Sequence, residues 1–199
     1  MDPIYEYSEK VFDKYLLELG VPQEVLDQDL GSRLTISGSY GYKKELELPD
    51  IGKVRENDIC NVLNKMDVDT LKTYWEVEEF RERVAALIRY PGGLHEWLMI
   101  SAIPVLREMG IPMGFIKDYR DATDSCTFTI DGEKGRHGGN LSTKMHNILY
   151  YFILRAKDIH MSSAVDAKIA LAQCLEEFMK VVEPHNPEVL QDLINKLKQ

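Results

Sequence analysis

Two histidines, His137 and His146, sit in the stretch GRHGGNLSTKMHN, Gly135–Asn147. Imidazole is the side chain that changes charge closest to neutral pH, and its neutral form accepts a proton or binds a metal. Around the pair lie three glycines, two asparagines, a serine and a threonine. A β-like segment, CTFTIDG, comes before, and an apolar helical run, ILYYFILRAK, comes after. The histidines therefore occupy a strand-to-helix junction. Glycine permits backbone angles that let a chain turn sharply or a ligand come close. Ser142 or Asn140 suits the N-cap of the helix, whose free N–H groups and positive dipole end suit an anion. The same residues also read as a turn and a cap, with His137 solvated and His146 bonded to a carbonyl, and both readings stay open at this point. Helical side chains lean toward the N-terminus, so His146, one turn inside, is expected to meet His137 across the junction. The N–H groups near Ser142 are expected to face the same space, and the dipole end to keep both imidazoles neutral.

A third histidine, His95, precedes Glu96 just after Pro91-Gly92-Gly93. The expectation is that both open a helix. A glutamate in a first turn is favoured by the dipole alone, but beside His95 it makes an acid/base-competent pair. If the two helix starts face each other, His95, Glu96, His137 and His146 form one cluster able to hold a divalent metal or to run proton transfer. These four are the candidate catalytic residues. Asn140, Ser142 and Asn147 are the candidate substrate-binding residues, and which metal would bind is left unassigned. The sequence has no HExxH, no GxSxG and no P-loop.

The elements that must carry these residues read as mostly helical. Asp2-Pro3 starts and Gly20 stops a first helix, and a short one follows over 23–30. RLTISGSYGY and KKELELPDIG read as a hairpin or irregular β excursion. Helices are expected over 56–65, then in one run over 69–90. LHEWLMISAIPVLREM should form a helix kinked at Pro104. Pro112 should open another, through Arg120. Asp131-Gly132 signals a turn. After the helix that bears His146, two more close the chain, one over 163–182 and one capped by Asn186 with Pro187 at its first position. The fold class expected is mainly α with small β elements, a compact multi-helix α+β domain. Trp97, Leu98, Leu106, Ile148, Leu149, Phe152 and Ile153 should lie in its core.

Composition narrows the partners. Of 199 residues 44% are hydrophobic, enough for one domain with a sizeable core. No stretch is apolar for long enough to span a membrane, and the charged start MDPIYEYSEKVFDKY does not resemble a signal peptide. A cytoplasmic setting, or export without a cleaved signal, is expected. Cys60, Cys126 and Cys174 show no paired spacing, which argues against a disulfide framework or a structural zinc site. The net charge of −9 is uneven. Residues 1–90, the acidic and mostly helical N-terminal part, hold 19 acids against 12 bases; residues 91–160, the candidate functional core, hold eight of each; residues 161–199, the C-terminal helical pair, hold six against four. All three are expected to form one compact unit. Lys134, Arg136 and Lys144 are the nearest approach to a basic cluster, so nucleic acid ranks low as a partner.

GLHEWLM, followed some forty residues later by HGGNLSTKMHN, resembles C-terminal domains of bacterial polymorphic toxins. There a His-Glu-Trp helix is followed by a strand and a Gly-His-Gly-Gly…Ser-Thr-x-x-His-Asn segment. More remotely, strand, His loop and His-bearing helix resemble the ββα-metal arrangement of HNH nucleases. That likeness implies His137 as general base and His146 as metal ligand, with Tyr150 where a second helical ligand would stand. The resemblance covers residues 92–150. Two functions follow as expectations. One is a toxin- or effector-like hydrolase or nuclease built on the histidine cluster. The other is a non-enzymatic acidic protein, of immunity or adaptor type, that binds a basic protein partner.

Overall fold

A computed structural model of the chain describes residues 45–49 and 51–199. The helices expected over 2–20 and 23–30, and RLTISGSYGY, lie outside the described residues. The described part is mainly α with small antiparallel sheets. Strands β1 (Glu45–Leu48) and β2 (Gly52–Arg55) form a hairpin in which Leu46 pairs with Val54, and both face the core. Helices α1 (Ile59–Lys65), α2 (Val68–Trp75) and α3 (Glu78–Arg89) follow. Then come strand β3 (Leu94–Glu96), a 3-10 turn (Ile100–Ala102), α4 (Ile103–Glu108), α5 (Gly114–Asp118) and strand β4 (Arg120–Ala122). Strands β5 (Thr127–Ile130) and β6 (Glu133–Arg136) lead to α6 (Ser142–Ser162) and α7 (Ala167–Val181). Strand β7 (Val182–Pro184) and α8 (Glu188–Leu197) end the chain.

Several expected helices are cut differently, each for a local reason. The run over 69–90 is two helices. Asp67 caps α2, its carboxylate accepting from the N–H groups of Asp69 and Thr70 at 3.0 and 3.1 Å. Val77 is extended, and the corner it makes lets Phe80 lie against Tyr74 and Trp75, with ring centroids 5.2 and 5.9 Å apart. The expected helix from Leu94 begins only at Ile103. Pro104 then lies in the first turn, where its missing N–H breaks no bond, so it starts the helix rather than kinking it. Arg120 belongs to β4, not to the helix after Pro112. The long penultimate helix starts at Ala167, because Asp166 caps it with bonds to the N–H groups of Lys168 and Ile169. Asn186 does not cap α8. Pro187 takes that place, and the Asn186 amide donates to the Ser125 carbonyl at 2.8 Å.

One hydrophobic core runs from Leu46 to Leu197. All seven expected core residues are buried. Helix α6 packs along α7, and Phe178 of α7 touches both Phe152 and Trp97, with centroids 6.3 and 6.4 Å apart. Trp97 follows β3 directly, so this aromatic contact ties the strand to the helix that bears His146. Phe178→Ala should remove the common wall of both contacts. Truncating a fully buried phenylalanine costs about 3–5 kcal/mol, and urea unfolding of the variant should show a loss of that size.

Candidate metal centre

Strand alternation decides what His95 and Glu96 can do. In a strand, successive side chains point to opposite faces. His95 pairs in register with Asp121, and Glu96 with Arg120. Trp97 is on the His95 side, its ring 4.9 Å from the imidazole centroid, and its Nε1–H donates to Asp121 Oδ2 at 2.6 Å. Glu96 leaves by the other face toward the end of α3. There Arg89 Nε donates to both carboxylate oxygens at 3.1 and 3.2 Å, and Nη2 to one at 2.6 Å. Arg120 on the same face donates to the Ile88 carbonyl. The expectation that His95 and Glu96 open a helix is therefore corrected: both stand on β3. Glu96 is engaged by Arg89 and is not among the converging ligand atoms, although its charge still reaches His137.

What gathers instead is three histidines. Ring centroids are 4.5 Å apart for His95 and His137, 5.1 Å for His137 and His146, and 5.8 Å for His95 and His146. One nitrogen from each lies within 4.8 Å of the other two. Each ring comes from a different kind of element. His95 stands on β3. His137 follows β6, its N–H donating to the Cys126 carbonyl at 2.9 Å. His146 lies one turn into α6. The junction thus brings His137 and His146 together as their spacing implied, and β3 adds the third ring.

The junction itself is built otherwise than expected. Leu141, at φ 64°, occupies the cap position of α6, and no side chain caps the helix. Ser142 is the first helical residue, and its hydroxyl accepts from the Gly138 N–H at 3.0 Å. The Ser142 N–H is taken by the Gly139 carbonyl at 3.2 Å, so it does not serve an anion. Gly138, at φ 70°, lets the chain turn within this loop. Asn140 is exposed, and its carbonyl accepts from the Arg136 N–H at 3.4 Å. Asn147 is half-buried, its amide oxygen buried without a partner.

Burial keeps the rings neutral. His95 is buried, and desolvation, with His137, His146 and Arg89 nearby, holds its pKa well below the usual imidazole value. Desolvation first, then His137 and Arg89, pushes His146 down to about 3. His137 is lowered by burial against an opposing pull from Glu96. The largest cause for each ring is loss of water. Buried His95 Nε2 and His137 Nδ1 have no hydrogen-bond partner. A buried polar atom left unpaired costs about 1–3 kcal/mol. Cys126 and Cys174 are not among the converging ligand atoms, and burial pushes their thiols up to about 12 and 11.

Four-coordinate zinc takes imidazole nitrogens at about 2.0–2.1 Å, which sets ligand nitrogens about 3.4 Å apart. Three neutral imidazoles with lone pairs in one small space meet that donor chemistry after modest closure of the widest pair. Arg89 and Asp121 escaped the sequence reading. Arg89–Glu96 joins the end of a helix to a strand, and Trp97–Asp121 joins residues 24 positions apart, so neither pair is read from the periodicity of one element.

No protein-family model, curated protein or solved structure matches this chain. The site's chemistry rests on its own geometry.

Depressed pKa values have a defined sign in stability. Unfolded histidine titrates near ~6.5, so below that pH the unfolded chain binds protons that the folded chain refuses. Stability carried by the neutral rings is full above pH ~6.5 and is lost as pH falls toward about 3, where His146 finally charges. Urea midpoints of metal-free protein should fall steadily across that window. His146→Phe should flatten the fall.

Proposed function

We propose that this chain is a hydrolase that uses a divalent metal held by His95, His137 and His146. The observation that carries this reading is the pair of buried, unpartnered ring nitrogens, His95 Nε2 and His137 Nδ1, inside a cluster whose ligand atoms lie within 4.8 Å of one another. Neutral imidazole is the metal-binding form, and burial keeps all three rings in it. A zinc ion held by these three histidines would supply a bound water with its pKa lowered to about 7. His95 and His146 are the more enclosed members and would hold the ion in place. His137, half-exposed on its loop, would stand where substrate arrives. Glu96 is a positioning residue in this account: it anchors β3 through Arg89 and so aims His95. Two motifs, GLHEWLM and HGGNLSTKMHN, support a toxin- or effector-like role through their resemblance to polymorphic-toxin domains.

Titration calorimetry with zinc should show one site per chain. His146→Ala should weaken binding by more than the roughly 10–100-fold that loss of an outer partner of a ligand costs. Arg89→Lys should weaken it less, since the ligands remain. Expression in a bacterial host should inhibit growth with the intact chain and not with His137→Ala. One-site binding that survives His146→Ala would overturn the assignment.

A further inference from the structure

The outer face of the β6–β5–β7 sheet carries chemistry that the histidine centre does not use. Alternation turns Phe128, Ile130 and Val182 into the core and leaves Thr127, Thr129, Lys134 and Arg136 outside. Thr127 pairs with Arg136, and Thr129 with Lys134, so two cations stand side by side along β6. His185, just past β7, lies over β5, its ring nitrogens 3.1 and 2.8 Å from the hydroxyls of Thr127 and Thr129. Thr127, Lys134, Arg136 and His185, with Asn140, Gly135 and Gly139, line an open cleft of about 490 Å³.

Two features mark the cleft as built. Neither Lys134 nor Arg136 forms an ion pair among the described residues, in a chain of net charge −9. Glu183, the acid that alternation sets on this face, pairs in register with Thr129 and reaches neither cation. Both cleft glycines are sterically required as well. A Cβ at Gly139 would come within 2.8 Å of Arg136 Cγ, so glycine there gives the arginine its place. A Cβ at Gly135 would lie 2.5 Å from the Phe128 ring, so glycine there lets β6 close on the core.

We propose that this cleft binds a phosphate group of the molecule that the histidine centre hydrolyses. That it is the same molecule rests on the hydrolase reading; the phosphate rests on the cleft alone. A carboxylate is satisfied by one arginine fork, whereas two cations and an amide suit a tetrahedral dianion with more oxygens to contact. Arg136 and His137 are consecutive, with Cα atoms about 3.8 Å apart, and alternation sends them to opposite faces. A substrate lying around the end of β6 therefore meets both.

Inorganic phosphate titrated into the metal-free full-length chain, followed by backbone amide NMR, tests this directly. Saturable shifts are expected at Lys134, Arg136 and Gly139. Binding should weaken at least about tenfold in the Lys134→Gln, Arg136→Gln double variant, since each lost charge-assisted bond matters by that order. Sodium acetate at equal ionic strength should leave those amides unmoved, and zinc affinity of the double variant should equal that of the intact chain. Phosphate shifts that persist in the double variant, or acetate shifts as large as those from phosphate, would overturn the proposal. Phosphate binding in a chain that takes no zinc would sink the hydrolase reading and leave the cleft standing; zinc binding without phosphate shifts would do the reverse.

Discussion

Glu96 is 4% exposed and is held there by Arg89 at the last residue of α3. A carboxylate taken out of water without its partner costs several kcal/mol, so once Glu96 turns inward it must turn toward that guanidinium. The rest of the centre depends on this constraint. Successive strand residues alternate, so fixing Glu96 on one face fixes His95 on the other. Trp97 repeats the lesson on the His95 side, its Nε1–H bonded to Asp121 on the partner strand and its ring against Phe178. A three-residue strand has few backbone bonds of its own. Here an ion pair below and an indole above hold β3 in one register, which sets the direction of the imidazole between them.

The three rings then meet in a space that is poor for folding. Buried imidazoles lose hydration, and two of their nitrogens gain no hydrogen bond in return. Natural sequences keep such local conflicts mostly where function requires them. The surrounding packing supplies the compensation: α6 against α7, the aromatic contacts of Phe178, and the continuous core that holds the ends of β3, β6 and α6 together. Gly135 and Gly139 extend the same logic to the outer sheet face, where space is kept for a close strand and for an arginine.

Much of the fold was legible from pattern. Helical periodicity placed His146 beside the buried stripe of α6, and its position one turn inside the helix implied the approach to His137. Asp131-Gly132 marked the β5–β6 turn, and both residues have positive φ. The misreadings were of non-local origin. Leu94, Trp97 and Leu98 fall at helical spacing, yet β3 exists only because β4, some two dozen residues on, pairs with it. The Arg89–Glu96 pair joins a helix end to a strand, which no periodic template represents. Tyr150 occupies the position where a second ligand from α6 would stand, and the third nitrogen comes from β3 instead. Ser142 had the right chemistry for a cap, but Leu141 in a left-handed conformation placed it inside the helix, where its hydroxyl ties down the loop.

X-ray absorption at the zinc edge of the zinc-loaded full chain tests the central claim most directly, because it reads the ligand atoms themselves. Three imidazole nitrogens at about 2.0–2.1 Å with one further light atom are expected, reduced to two imidazoles in His95→Ala. A shell containing sulfur at about 2.3 Å, or one of oxygens alone, would contradict it.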